Sequence, residues 1–446
     1  MALVRLWLTL WVAFCLLVSA AVHASDSAVL FEHVQLFDGK SDRLLPGTHH
    51  VLVVGNGIEQ ISRNPIELPE DSSALRIDGR GHTLMPGLID AHWHSMLVGA
   101  GMLDTMTAEV GYLNIKGARV AEATLLRGFT SVRDMGGPAM GLHRAIEEGL
   151  IPGPRIFPSG AMISQTGGHA DFRLPTDIPR ASNQSLSHPE QMRAAAIADG
   201  VDEVLRRVRE QLMLGATQIK LTAGGGVSSM YDPLDVTQYT PDEMRAAVAA
   251  AENWGTYVTV HAYTSRAVQQ AIEAGVKVIE HGQLIDEATV RLMARQGIWW
   301  SLQPFLDNEL ANPKSGESRL KQLMVSQGTD RAYELAKKHR VKVAFGTDIL
   351  FTGDDGHKQN LLLNTLTRWY SPGEVLKMAT GDNGQLLALT GPRNPYRRAL
   401  GVIETDAMAD LILVKGDPTS DLSLVTQPDE NFVVIMKNGR IYKNSL

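Results

Sequence analysis

The chain has 446 residues, 44% of them hydrophobic and 20% charged, with a formal net charge of −7. That length accommodates one large α/β domain plus a smaller one, each with apolar material for a core. The acidic balance gives neither nucleic acid nor an anionic membrane surface a reason to bind. The one cysteine, Cys15, falls in a leader-like segment. A processed chain therefore has no thiol, which excludes disulfides, thiolate metal ligands and cysteine nucleophiles.

At the N-terminus Arg5 precedes the apolar run Leu6 to Val18, and Val22-His-Ala24 offers small residues at the cleavage positions. The expectation is a secretory signal peptide over residues 1–24, an exported protein, periplasmic or secreted, and no stable membrane anchor after cleavage. A retained anchor is the competing reading, but the run falls short of the roughly 20 residues that span a bilayer. Phe14, before Cys15, is too bulky for a lipoprotein processing site.

Residues 25–83 are alternating and turn-rich, as in Val29-Leu-Phe-Glu-His-Val-Gln-Leu-Phe-Asp-Gly39 and Val51-Leu-Val-Val-Gly-Asn-Gly57, which predicts strands and hairpins. The same character returns over 395–446, in Asp410-Leu-Ile-Leu-Val-Lys-Gly416 and Phe432-Val-Val-Ile-Met-Lys-Asn-Gly439. Two all-β ends around a different middle predict one small β-sandwich domain built from both termini.

The middle, 84–394, alternates helix and strand. The spacing predicts strands Thr130 to Arg133 and Arg155 to Pro158, then a helix Asp202 to Leu214 with Val204, Leu205, Val208 and Leu212 on one face. Thr240-Pro-Asp-Glu243 is a capping box with proline at the first helical position, opening a helix to about Asn253. Helices Ser265 to Glu273, Asp286 to Arg295 and Asp330 to Lys338 follow, each feeding a short apolar strand. Repeated units of this kind fit a (β/α)8 barrel better than an open sheet.

Chemistry-bearing residues stand where these strands should end. His92-Trp-His94 closes Leu84-Met-Pro-Gly-Leu-Ile-Asp-Ala-His92, and Lys220 ends the apolar run Ala216-Thr-Gln-Ile-Lys220. His261 follows Tyr257-Val-Thr-Val, His281 follows Val276-Lys-Val-Ile-Glu, and Asp348 follows Val343-Ala-Phe-Gly-Thr. In a parallel barrel that end carries the active site, so spacing in sequence becomes proximity in space. Histidines one residue apart on a strand face the same side, and His92 and His94 can grip one ion. Any one of these histidines alone reads as a hydrogen-bonded structural residue; it is the ordered set that points to metal.

The stretches Met85-Pro-Gly-Leu-Ile-Asp-Ala-His-Trp-His94, Ile219-Lys220, Val260-His261-Ala, Glu280-His281-Gly and Gly346-Thr-Asp348 resemble the amidohydrolase superfamily, in its binuclear branch with a carboxylated lysine. The similarity extends over nearly the whole mature chain and is greatest to the imidazolonepropionase-like group with Xaa-Pro and Xaa-Arg dipeptidases and ochratoxin-degrading amidohydrolases. It implies that His92, His94 and Asp348 hold one divalent ion and His261 and His281 the other, zinc by default. Lys220, as an N6-carboxylated lysine, would bridge the two. It further implies a hydroxide shared by the metals as nucleophile, Asp348 as acid and base, and a homo-oligomer. A lysine buried at a strand end is driven towards its neutral amine, which can attack carbon dioxide and become a carbamate, and this suits that role.

His169 in Gln165-Thr-Gly-Gly-His169 is similar to a substrate-contacting histidine of the group, placed on the loop after Arg155 to Pro158. Tyr231 is a second candidate for the substrate carboxylate or carbonyl, with a packed loop aromatic as its alternative. Gly224-Gly-Gly226 lacks a phosphate-loop pattern and reads as a flexible active-site loop. Asp134 is either a partner of the metal ligands or a helix cap, and Trp93 should face the core. The expected activity is cleavage of an amide, releasing an amino acid from a dipeptide or an N-acyl amino acid, ochratoxin A-type amides included. Hydrolysis of a cyclic amide and a non-catalytic periplasmic binding protein are the competing readings.

Overall fold

The computed structural model describes residues 28–69, 72–179, 185–354 and 356–446. The expected signal peptide lies outside them. Among the described residues no helix is long and apolar enough to cross a membrane.

Eight staves form the barrel: Leu88–Trp93, Phe129–Asp134, Arg155–Pro158, Ile219–Thr222, Val258–Thr264, Val278–Leu284, Trp299–Leu302 and Lys342–Phe345. Neighbours pair in parallel, with Lys220 opposite Thr259, Thr222 opposite His261 and Ala262 opposite His281. The third stave is broken. Arg155–Pro158 pairs with Phe129–Asp134, and after a kink Met162–Ser164 carries the pairing on to Ile219–Thr222. Gln218 bridges the break by donating to the Phe157 carbonyl at 2.8 Å. Closure between the last and first staves runs through Asp348 N–H to the His92 carbonyl, 2.8 Å. Buried Asp90 accepts from Thr347 N (3.1 Å), Thr347 Oγ1 (2.7 Å) and His92 N (3.0 Å) at the same seam.

The intervening helices bury the faces that their sequence sets. Thr240 and Glu243 make the capping box, and Pro241–Asn253 follows. Ser265–Glu273 turns Ala267, Val268, Ala271 and Ile272 inward. The largest departure is Gly316–His339, which begins 14 residues before the expected Asp330. Its interior Gly328 lies against the Gln283 carbonyl, where a Cβ would come within 2.4 Å.

Both termini build the second domain. Ala28–Leu36 pairs with His49–Val54 and Leu75–Asp78 over its first part and with His82–Pro86 over its last residues. An irregularity between Phe31 and Val34, with His33 at φ 57°, bends it from one layer into the other. Leu411–Lys415 alternates between two cores. Leu411 and Leu413 pack in the sandwich with Phe31, Leu36 and Leu84, while Ile412 and Val414 join the barrel-side core with Phe129 and Phe432.

A buried ion pair adds direction to this apolar seam. Arg155 donates from Nε to Asp410 Oδ2 at 2.7 Å and from Nη2 to Oδ1 at 3.1 Å, with its guanidinium 4.5 Å from the Tyr396 ring centre. Truncating one partner leaves the other charge buried and uncompensated. Arg155→Ala is expected to lower stability by about 3–5 kcal/mol, read as a shift of the urea midpoint. A loss below about 1 kcal/mol would mean that the apolar seam alone joins the domains.

Candidate metal centre

His92, His94, Lys220, His261, His281 and Asp348 all line one cavity of about 300 Å³. The rings are neighbours: 5.3 Å between the centres of His92 and His94, 5.0 Å between His92 and His281, and 4.5 Å between His261 and His281. Asp348 Oδ1 stands 3.2 Å from His92 Nε2 and 3.1 Å from His94 Nε2. Donors bonded at about 2.0–2.1 Å to one tetrahedral ion stand about 3.3 Å apart, so this trio is spaced to hold a cation.

The far side of each ring decides which nitrogen is free. Carbonyl and carboxylate oxygens only accept, so a ring nitrogen facing one carries the proton. His94 Nδ1 faces the Gly136 carbonyl at 2.9 Å, His281 Nδ1 faces Gln303 Oε1 at 2.7 Å, and His92 Nδ1 faces Glu280 Oε2 at 2.7 Å. Each therefore keeps Nε2 as its lone-pair donor. His261 is reversed: its Nε2 faces the Gly225 carbonyl at 3.0 Å, and Nδ1 is left to coordinate. Burial holds the pKa of His261 and of His281 well below 6.5, so both rings are neutral and able to act as ligands.

Around the ligands is a set of groups that strand-end reading does not single out. Glu280 is fully buried; burial raises its pKa, but Arg133 and His92 outweigh this and hold it well below the usual carboxylate range. Arg133 Nη2 donates to its Oε1 at 2.5 Å, and Thr259 Oγ1 donates to the same oxygen. Arg133 also donates to the Ala91 carbonyl (2.6 Å) and lies 3.2 Å from Tyr257 Oη. Strict alternation would put Glu280 and His281 on opposite sides of their strand. A left-handed backbone at His281, φ 74°, turns both towards the centre. The Glu280-His281 dipeptide was the available signal, obscured by that assumption.

Lys220 is the second residue of Ile219–Thr222 rather than its end, because Thr217 and Gln218 precede the strand with their side chains bonded to backbone and to each other. It is buried, and burial lowers its pKa to about 8. Asp134 caps no helix: it accepts from Ser95 N (2.7 Å) and Gly136 N (3.2 Å), which fixes the carbonyl that orients His94. Trp93 packs in the core beside Met96 and Val132.

His169 sits on the loop after Met162–Ser164, one strand segment later than expected, and stacks on His261 at 3.9 Å between ring centres. Its Nδ1 is buried without a hydrogen-bond partner, and burial lowers its pKa to about 4. Tyr231 is not among the residues lining the cavity; its hydroxyl donates to the Arg173 carbonyl at 2.5 Å. Gly224, Gly225 and Gly226 are buried and tightly packed rather than loose. A Cβ at Gly225 would meet the Pro233 carbonyl oxygen at 1.8 Å, and one at Gly226 would meet His169 Nδ1 at 1.9 Å.

A barrel whose strands and following loops gather four histidines, a carboxylate and a buried lysine around one cavity has the architecture of a metal-dependent hydrolase. The chain belongs to the amidohydrolase family, whose model matches residues 83–443. Ochratoxinase from Aspergillus niger is 32% identical over 372 residues, 81% of this chain and 75% of its own length. A solved prolidase complexed with N-methylphosphonate-L-proline is 35% identical with a TM-score of 0.85, covering 94% of this chain and 100% of that one. A Xaa-Pro dipeptidase with methionine bound in its active site is 31% identical with a TM-score of 0.79, over 94% of this chain and 100% of its own. The protein is a hydrolase of amide or peptide bonds.

Glu280 offers a test of how the ligands are oriented. Glu280→Gln removes the charge that fixes the His92 tautomer, and metal affinity is expected to fall about 10- to 100-fold, measured by competition with a chromogenic chelator. Unchanged affinity would show that His92 needs no carboxylate behind it.

Proposed function

We propose that the protein is an exported binuclear amidohydrolase that releases a C-terminal amino acid from a dipeptide or an N-acyl amino acid, ochratoxin A-type amides included. His92, His94 and Asp348 would hold one divalent ion and His261 and His281 the other, with zinc the proposed metal for an imidazole-rich set. Lys220 would join the two sites as its carbamate. Ions bound there supply Lewis acidity towards the scissile carbonyl and an acidified water.

The observation that carries this reading is the ring chemistry: each of four imidazoles has one nitrogen committed to an acceptor, and all four line one cavity with Asp348 and Lys220. Burial favours the neutral amine of Lys220, and that amine can form an N–C bond to carbon dioxide with loss of a proton. Asp348 accepts a proton from the attacking water and delivers it to the amide nitrogen as the C–N bond breaks. His169 contacts the substrate, and Tyr231 reaches it only by releasing the Arg173 carbonyl. The prolidase, dipeptidase and ochratoxinase relatives support an amide next to an amino-acid carboxylate over a cyclic amide.

Elemental analysis should find about two divalent ions per chain, and Lys220→Ala should lose both metal and activity, with partial rescue by short carboxylic acids that take the carbamate's place. Full activity with one ion or none, or in Lys220→Ala, would overturn the binuclear reading. Asp348→Asn is expected to keep the fold and lower kcat by about 10²- to 10⁴-fold, with a changed pH profile. Unaltered turnover would remove Asp348 from proton transfer.

A further inference from the structure

The cavity extends beyond the metal ligands as an apolar chamber, lined by Met162, Phe172, Phe305, Val325, Ile349 and Phe351. Three lysines also line it: Lys220, Lys314 and Lys358. Their partners separate them. Lys220 belongs to the metal centre. Lys358 donates to the carbonyls of Glu309, Leu310 and Ala311 at 3.0, 3.3 and 3.4 Å, so its ammonium clamps that loop. Lys314 is different. Among the described residues its ammonium has no hydrogen-bond or ion-pair partner, although the side chain is half-buried.

The backbone of Lys314 is nevertheless held in place. Gln322 brackets Pro313, accepting from Lys314 N at 3.2 Å and donating to the Asn312 carbonyl at 2.9 Å. Burial lowers the pKa of Lys314, and the field of Asp348 opposes that, which puts the two groups within electrostatic reach. A cation partly withdrawn from water with no anion beside it costs free energy that an anionic ligand recovers. Two neighbouring candidates on the cavity wall are less suited to that pairing: burial holds His169 towards its neutral form, and Lys358 is already engaged.

We propose that Lys314 is the carboxylate anchor of this cavity, pairing with the free α-carboxylate of an amide substrate whose large apolar side chain occupies the adjoining aromatic chamber. The assignment rests on the amide-hydrolase reading and deepens it. It makes the preferred substrate a monoanion with an aromatic or long aliphatic C-terminal residue. A C-terminal amide gives Lys314 no counter-charge, and an acidic side chain has no partner among the apolar wall residues.

The test compares N-acetyl-L-phenylalanine with N-acetyl-L-phenylalaninamide by acetate release, on the full-length metal-loaded enzyme and its Lys314→Met and Lys314→Arg variants. The wild type should favour the acid. Lys314→Met should reduce that preference by about 10- to 100-fold, carried by KM rather than kcat, the low end of what a buried charge pair loses on truncation. Lys314→Arg should restore most of it. Equal losses on acid and amide, or an unchanged KM for the acid, would overturn the anchor. Calorimetric titration with L-phenylalanine and L-phenylalaninamide asks the same question without turnover. If neither acetyl compound is cleaved the amide-hydrolase reading is in trouble, yet an acid preference lost in Lys314→Met still supports the anchor. Equal binding of the two by the wild type overturns it.

Discussion

A carboxylate fully withdrawn from water at the centre of the barrel is the constraint on which the rest depends. Glu280 is tolerable there only because Arg133, Thr259 and His92 all donate to it. Arg133 in turn is tolerable because Ala91, Tyr257 and Glu280 share its charge and its donors. The barrel interior is thus a polar network rather than a stack of apolar layers, and each member is satisfied only while the others stay in place. The outcome at the site is a single tautomer for His92. The groups that make the barrel's centre affordable to fold are the same ones that aim the His92 ring.

Backbone strain does a related job at the rim. His281 and Asp348 both hold left-handed φ angles, 74° and 54°, which costs non-glycine residues about 1–3 kcal/mol each. In both cases the surrounding bonds enforce the conformation. Trp300 Nε1 donates to the His281 carbonyl at 2.5 Å, and Asp348 N–H is tied to the His92 carbonyl at 2.8 Å. Asp90 fixes the turn before Asp348 and the backbone of His92 together. Asp348 after the last strand is thereby locked to His92 on the first, and barrel closure and the spacing of the candidate cation site become one geometric condition.

What the sequence made legible follows from which forces are local. Capping at Thr240, the periodic face of Ser265–Glu273 and the strand Arg155–Pro158 are set by neighbours in the chain, and they fall where the pattern puts them. The clustering of His92, His94, His261 and His281 in one cavity was legible because histidines recurring after apolar strand runs have no propensity reason to do so. The start of Gly316–His339 was not, since Gly328 reads as a helix breaker until the Gln283 carbonyl is known to press against it. Glu280 and Arg133 were hidden for a similar reason. Their partners lie on other strands, and for Glu280 the left-handed residue His281 overturns the alternation that would have assigned its face. Likewise the glycines at 224–226 suggest freedom in sequence, whereas in the fold they allow the Gly225 carbonyl and the His169 ring to approach closely.

The charge of the ligand set turns on Lys220. An imidazole that donates a lone pair to a metal contributes no charge, and Asp348 contributes one negative charge, so a lysine left as an ammonium would cancel that charge and oppose any cation placed beside it. Converted to a carbamate, as proposed above, the same residue reverses sign and doubles the negative charge facing the ions. Burial supplies the bias, because it penalises the ammonium and lowers the pKa to about 8. The strand register then keeps Lys220 opposite Thr259, a layer below His261, with Glu280 and Arg133 both in its electrostatic surroundings. Arg133 disfavours the ammonium while Glu280 favours it. The same buried ion pair that orients His92 therefore also sets the field in which the lysine chooses between its two charges.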